Sequence, residues 1–544
     1  MELFNAGVYL IDRQVEAGNG DRPAVAGPTG TRTYAQLAAE VRAAAAGLRA
    51  AGLRPEERIV LFCADRVELL AAFLAGLRIG AVPVPVSTMY RDGELAELLV
   101  DSRARMLLTS PEFVEVARAA AGRSAVERLI HTDDVVTRDV IPSDHPNRAN
   151  RPVDGSGRLT HAEVSWSELL AAGETGDESA YDSWAESPAF WLYTSGTTGT
   201  PKAAMHRHGS VRFVAESYGA QVLGIRPDDR CLSVAKLFFA YGLGNSALFP
   251  FSVGATTILN PDRPTPDGVA ALLRAERPTL FFGVPTFYAA LLAADLPPDT
   301  FASVRLCVSA GEPLPTELYK RFTARFGVDI IDGIGSTEAL HIFLSNYPGE
   351  VRPGTTGRAV PGYELRLVDD DGHPVPVGTP GHLHVRGESL TTGYWCRTET
   401  TRAAFVGEWM RTGDTYVLDS DGYYTCLGRS NDMIKAGGIW VSPGEVEACL
   451  LAQPGVAQAA VVAIPDADGL DKPVACVVAA PGACLDPDTL IAACRESLAA
   501  FKRPRHVLIV ESLPTTATGK IRRFQVRELA REALRAGEGL ACPT

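Results

Sequence analysis

The sequence has no Cys-x-x-Cys pair and no short, regular cysteine framework; its ten cysteines are scattered between Cys63 and Cys542. That spacing argues against the common zinc-ribbon and disulfide-scaffold patterns, and predicts reduced thiols in a cytoplasmic protein. Long basic runs are missing as well. With 52 Lys plus Arg against 65 Asp plus Glu and a formal charge of −13, the chain has no cationic block to overcome phosphate repulsion, so nucleic acid is not expected as a general partner. The first residues carry Glu2 and no basic stretch ahead of an apolar core, so no secretory signal is predicted. The apolar stretch Leu69–Leu77 falls far short of the roughly 18 residues of a spanning helix. It is expected to pack inside the protein, and no membrane partner is predicted.

What is present describes a globular chain. Of 544 residues, 46% are hydrophobic and 22% charged, and the mean hydropathy is +0.03, values that fit neither a disordered nor a fibrous protein. At about 150 residues per domain this length allows two to four hydrophobic cores. Leu37, Val41, Ala44 and Leu48 recur at helical spacing, Ile59–Cys63 reads as a buried strand, and Val67–Leu77 as a second helix. Short apolar runs at Val82–Val86, Met106–Thr109 and Leu129–His131 continue the alternation, which favours stacked α/β layers. Residues 145–188 are rich in Asp, Glu, Gly, Ser and Pro and read as a surface connection into the strand Ala189–Tyr193. Five further apolar runs, starting at Cys231, Thr256, Thr279, Val304 and Val328, extend the body to about residue 429. The rhythm then changes to a helix from Pro443, strands at Val456–Ile464 and Pro473–Val478, a helix over 488–498, and a final strand at Val507–Val510. The predicted fold is a large α/β N-terminal body with mixed sheets (1–429), a hinge (430–432), and a smaller α+β C-terminal domain (433–544).

The strongest local pattern follows the strand at Ala189–Tyr193. In Thr194, Ser195, Gly196, Thr197, Thr198, Gly199, Thr200, Pro201 and Lys202, glycines permit close approach, hydroxyls and backbone N–H groups can surround phosphate oxygens, and Lys202 can neutralise them. A Walker A loop ends Gly-Lys-Ser/Thr, and here Lys202 lies between Pro201 and Ala203, so this is a different loop. Composition alone leaves a plain Gly/Ser/Thr turn equally open.

Together with Ser309–Pro315, Gly333–Glu338, Trp409–Asp414, Gly428–Asp432 and Thr518–Ile521, the decapeptide Tyr193–Lys202 resembles the signatures of the adenylate-forming superfamily of acyl-CoA synthetases, acyl-activating enzymes and luciferases. The resemblance implies ATP, Mg²⁺ and coenzyme A as reaction partners. It places the nucleotide among Thr194–Gly199, Gly311, Glu312, Pro313, Asp332, Gly333, Ser336, Thr337, Asp414 (ribose) and Arg429. It also implies Glu338 as the metal-associated carboxylate, Lys202 as a phosphate ligand and Lys520 as the adenylation lysine. Asn431 stands where relatives more often carry the first hinge acid, which removes a charge there; Lys435, Gly437 and Gly438 resemble the face presented to the CoA thiol.

The segment Lys236–Asn245 is unusually aromatic. With Leu340–Asn346 it resembles benzoate-CoA ligases and their hydroxybenzoate-activating relatives, implying a compact aryl carboxylate among Phe239, Ala240, Tyr241, Leu243, Gly335, His341 and Ile342. Gly335 is expected to keep one wall close to a flat ring, and His341 either to read the ring edge or to support the pocket. The expected reaction converts benzoate, ATP and CoA to benzoyl-CoA, AMP and pyrophosphate through an acyl adenylate. Hydroxy- or aminobenzoate, transfer to a carrier protein, and non-enzymatic sensing of an aromatic or a nucleotide are the alternatives.

Overall fold

The computed structural model of the protein describes residues 2–132, 161–195, 201–429, 432, 434–436, 439–465, 471–498, 502–515 and 521–536. Thr33 begins the first long helix, Tyr34–Ala50, by accepting from the Gln36 amide while Gln36 answers at the Thr33 amide, a reciprocal cap that satisfies two otherwise orphaned donors. The strands that follow are apolar on both faces because both faces are covered. A five-stranded, all-parallel sheet runs Val82–Pro85, Arg58–Phe62, Met106–Thr109, Arg128–His131, Ala162–Ser165. Ile59 and Leu61 point into one core and Val60 and Phe62 into another. The helix Val67–Arg78 is buried nearly all round, as its continuous apolar run predicts.

A nine-stranded sheet forms the second layer, in the order Arg358–Ala359, Ile342–Ser345, Ile330–Gly335, Leu306–Ala310, Leu280–Gly283, Arg230–Ser233, Thr256–Ile258, Pro23–Ala26, Arg32–Thr33. Its six middle strands, from Ile330–Gly335 to Pro23–Ala26, are parallel, and both ends are antiparallel. A third, antiparallel sheet of five strands includes Gly381–Arg386, Trp409–Leu418 and Tyr424–Arg429. The C-terminal domain is α+β. Val456–Pro465, Asp471–Ala479 and His506–Ile509 form a sheet with Ala475 and Val477 in one core and Val474 and Cys476 in the other. Among the described residues no helix is long and apolar enough to cross a membrane.

Two segments differ from the sequence reading. Residues 145–188 were expected to be a connection throughout, but Ala162–Ser165 is the edge strand of the parallel sheet and Trp166–Gly173 is a helix. The edge strand is half-polar, so its apolar signal is weak, whereas the Ser165/Glu168 capping box was legible. This helix packs tightly on Tyr34–Ala50, because a Cβ on Gly173 would lie 2.0 Å from the Ala43 carbonyl oxygen and one on Gly47 2.2 Å from that of Leu169. The second difference is the helix Arg523–Ala536 after the last strand. Its polar composition hides a narrow buried stripe of Val526 and Ala530.

Candidate functional site

The site lies at the carboxyl ends of the parallel strands of the nine-stranded sheet, where open α/β sheets place their ligands. Strand Leu306–Ala310 pairs with Ile330–Gly335 so that Ser309 lies opposite Asp332 and Ala310 opposite Gly333. This register sets Gly311, Glu312 and Pro313, which leave the first strand, beside Gly333 and Gly335, which end the second. Gly311 has φ +94°, a conformation that disfavours a side chain. Asp332 is buried and its Oδ1 has no hydrogen-bond partner. Burial holds its carboxyl well above the usual range, against opposing hydrogen bonds from the Leu314 backbone and Ser309.

The glycine-rich decapeptide begins and ends on two paired strands. Pro188–Ser195 runs antiparallel to Pro201–Arg207, with Thr194 opposite Lys202 and Ser195 opposite Pro201. Gly196, Thr197, Thr198 and Gly199 lie outside the described residues, and so do Asn431, Gly437, Gly438 and Lys520. Tyr193 donates a 2.7 Å hydrogen bond to Asp101 Oδ2, which anchors the hairpin to the first sheet's helical layer.

Lys202 and Glu338 meet here. Lys202 Nζ is 3.6 Å from Glu338 Oε1, with side chains 18% and 15% exposed. Burial lowers the Lys202 pKa from its usual value, and Glu338 opposes that shift. Glu338 sits in a turn rather than at a helix start: Ser336 Oγ accepts from the Ala339 amide at 3.1 Å, and Leu340 takes φ +67°. Glu338 therefore has no helix to cap. Thr337 is braced from below, where buried His206 Nε2 lies 2.9 Å from its carbonyl oxygen. Burial pushes His206 down to about 4, so the ring is neutral at pH 7 and Nε2–H donates.

Asp414 and Arg429 occupy paired positions of neighbouring strands. Asp414 is buried and Arg429 mostly exposed. Beyond Arg429, Asp432 lies 3.7 Å from Arg523 Nε and 3.9 Å from Arg527 Nη2. Arg523 also holds both oxygens of Glu447, at 2.5 and 2.9 Å. Although burial favours its neutral form, Glu447, Asp432 and Glu312 together raise the Arg523 pKa, so this side chain faces acids from both domains. The backbone of Lys435 lies in the short strand Ile434–Ala436, opposite Trp440.

The aromatic segment forms a turn and short helix against the same sheet. Tyr241 donates to the carbonyls of Gly283 at 3.2 Å and Val308 at 3.1 Å. Phe239 packs on Phe238 with ring centroids 4.4 Å apart, while Ala240, Leu243 and Ile342 are buried. His341 lies behind Tyr241, walled by Tyr218, Tyr241 and Phe249 at centroid distances of 5.3, 5.5 and 4.5 Å. Its Nε2–H donates to Asn245 Oδ1 at 3.2 Å, and burial pushes its pKa down to about 3. Of the two roles open for His341, this enclosure favours support. Gly335 has a second reason to lack a side chain: a Cβ there would lie 2.4 Å from the His341 carbonyl oxygen.

The sequence reading did not single out three residues of the site. Tyr394 donates to Glu338 Oε1 at 2.6 Å. Asp101 holds Tyr193, and buried Asp65 accepts from the Leu237 amide at the root of the aromatic segment. Asp65 is pushed up to about 6 by burial, with Lys236 opposing. Only Asp65, two residues ahead of a buried apolar helix, had a local signal as an acid in an apolar context.

Residues 11–395 match the family of AMP-binding enzymes. The chain belongs to the AMP-binding enzyme family. Residues 445–520 of this AMP-binding enzyme match the family's C-terminal domain. It is 42% identical over 534 residues to a benzoate–CoA ligase of Thauera aromatica, covering 97% of this chain and 96% of the relative. It is 40% identical over 544 residues to a 4-hydroxybenzoate–CoA/benzoate–CoA ligase of Rhodopseudomonas palustris, covering 98% and 96%. Its structure is similar to that of a benzoate CoA ligase from Burkholderia xenovorans LB400, with a TM-score of 0.85 and 41% identity over 96% of this chain and 100% of that one.

Proposed function

We propose that this AMP-binding enzyme is an ATP-dependent aryl-CoA ligase whose substrate is benzoate. The observation that carries the reading is the meeting of Lys202 and Glu338, 3.6 Å apart, just past strand Ile330–Gly335, while the Tyr241 hydroxyl donates to Val308 and Gly283 of the next two strands of that sheet. A cation for phosphate, a carboxylate for metal and an aromatic wall thus share one edge of the sheet. The names of the three ligases reported above support benzoate, and that of the R. palustris relative also supports 4-hydroxybenzoate as the second reading.

One carboxylate beside an ammonium fits Mg²⁺ that arrives on a nucleotide, since this ion keeps waters and takes phosphate oxygens with one or two carboxylates. Glu338 would hold it; when bound, Mg²⁺ neutralises charge on the phosphates. Lys202 and the glycine-rich segment hold phosphate oxygens, Asp414 accepts from the ribose hydroxyls, and Arg429 contacts the nucleotide near the hinge. Phe239, Tyr241 and Ile342 exclude water around the ring and aim its carboxylate along the line to the α-phosphorus. A carboxylate oxygen forms the new bond to phosphorus as the bond to pyrophosphate breaks, with Lys520 stabilising the charge. The C-terminal domain (433–544) then turns about residues 430–432 on the body (1–429) and presents Lys435, Gly437 and Gly438. The CoA sulfur attacks the acyl carbonyl, AMP leaves with the electron pair of the broken C–O bond, and the thiol proton passes to solvent. The reaction belongs in the cytoplasm, where ATP and CoA are supplied together.

The test is a matched panel of benzoate, hydroxy- and aminobenzoates, phenylacetate and short fatty acids, with pyrophosphate and thioester read separately. Benzoate is expected to give both products. Pyrophosphate without thioester until a carrier protein is added would favour the carrier alternative, and no ATP turnover or pyrophosphate exchange with any aryl acid would sink the reading.

A further inference from the structure

Tyr394 lies between the two charged groups on which the proposed function rests. Its hydroxyl donates to Glu338 Oε1 at 2.6 Å, and Lys202 Nζ stands 3.7 Å from its ring centroid. The ammonium is 3.6 Å from the same Oε1, beyond hydrogen-bonding distance. The phenol therefore takes the near position on the carboxylate, and its ring face takes the ammonium.

The segment carrying Tyr394 is itself fixed. Tyr394 pairs with Ala204 on the hairpin's return strand, flanked by bonds from Met205 N to Gly393 O at 3.1 Å and Trp395 N to Ala203 O at 3.0 Å. The Thr391 amide donates to the Glu338 carbonyl at 2.7 Å. Past the tyrosine, Trp395 Nε1 and Arg397 bond to Asp101 at 2.9 and 2.8 Å, and Asp101 also holds Tyr193. One strap thus joins both strands of the hairpin to the Glu338 turn.

We propose that Tyr394 is a positioning residue that keeps the 3.6 Å ion pair of Lys202 and Glu338 from tightening into a direct hydrogen-bonded one, so that the ammonium stays available to phosphate and the carboxylate to a cation. Without the phenol oxygen the two opposite charges close the short gap between them, and a nucleotide must break that pair in order to bind.

The experiment is calorimetric binding of ATP in EDTA, which needs neither metal nor turnover, to the full-length protein, Tyr394→Phe, Glu338→Gln and the double variant. Tyr394→Phe keeps the ring and is expected to weaken metal-free ATP binding about tenfold. In the Glu338→Gln background, where no carboxylate competes for Lys202, the same change is expected to alter binding less than twofold. Equal losses in both backgrounds would show a merely structural tyrosine and overturn the proposal, as would no loss in either. If the unmodified protein binds ATP neither in EDTA nor with Mg²⁺, the nucleotide reading of the site fails along with it; binding only with Mg²⁺, or a failed double-variant comparison with ATP bound, removes only the role of Tyr394.

Discussion

Arg429 Nε lies 3.1 Å from Asp414 Oδ1, and the arginine's Nη1 reaches back to the Thr412 carbonyl at 3.0 Å. The partners are unequal: the arginine side chain is 61% exposed and the aspartate's 8%. An exposed guanidinium adds little to stability, and the enclosed carboxylate is the one expected at the ribose. Asp414→Asn is expected to raise the KM for ATP at least tenfold, roughly the value of one charged hydrogen bond, while Arg429→Ala shifts the melting temperature by less than a few degrees. Steady-state kinetics and thermal melts check both. An unchanged KM in the asparagine variant removes Asp414 from the ribose site.

For Lys520→Ala, loss is expected in one half-reaction. Formation of benzoyl-AMP should fall by at least a hundredfold, on the scale of an electrostatic transition-state contact, while conversion of supplied benzoyl-AMP and CoA to thioester changes much less. Single-turnover assays of each half-reaction decide it; equal loss in both contradicts the assignment.

Gly244 leaves no room for a methyl group, since a Cβ would lie 2.3 Å from His341 Cδ2 and 2.7 Å from its Nε2. With His341 enclosed on three sides by aromatic rings, overpacking of this kind costs about 1–3 kcal/mol and forces the imidazole toward Tyr241. Gly244→Ala is expected to lower the unfolding midpoint in urea and raise the KM for benzoate, leaving that for ATP within twofold. A rise confined to ATP would show that His341 does not back the aryl wall.

Stability should fall in mild acid. Burial lowers His206 and His208 to about 4 and His341 to about 3, from an ordinary 6.5. The unfolded chain therefore binds protons first, and the stability present above pH 6.5 is lost as pH falls toward the folded values, by up to about 1.4 kcal/mol per histidine and pH unit. Asp65, raised to about 6, works the other way: its folded form takes up a proton before the unfolded one. Asp332, held well above the usual carboxylate range by burial, works with Asp65, and His384, lowered to about 4 by burial, joins the other three rings; four histidines outweigh two aspartates. Urea midpoints at pH 7.5, 6 and 5 should decrease in that order, and a flat series contradicts neutral buried rings.

The layers were legible in the sequence because strands covered on both faces are written as unbroken apolar runs, as in Ile59–Cys63 and Leu280–Gly283. The edge strand Ala162–Ser165 and the helix Arg523–Ala536 were not, because each buries only a narrow part of a polar surface. Lys202, Glu338 and Asp414 were legible through their motifs. Tyr394 was not: its partner Glu338 is 56 positions away, and an aromatic residue in a loop has no local pattern that marks such a contact. His341 was legible as a residue, but its enclosure by three rings was not, since Tyr218, Tyr241 and Phe249 are far from it in sequence.

Thr515 and Ile521 are joined by an antiparallel bridge, and the Arg522 amide is tied to the Pro514 carbonyl at 2.8 Å. That clasp ties the start of the helix Arg523–Ala536 to the chain that leaves the last strand. Strand end and helix are therefore held together, and Arg523, at the head of that helix, carries its contacts to Asp432 and Glu447 with it.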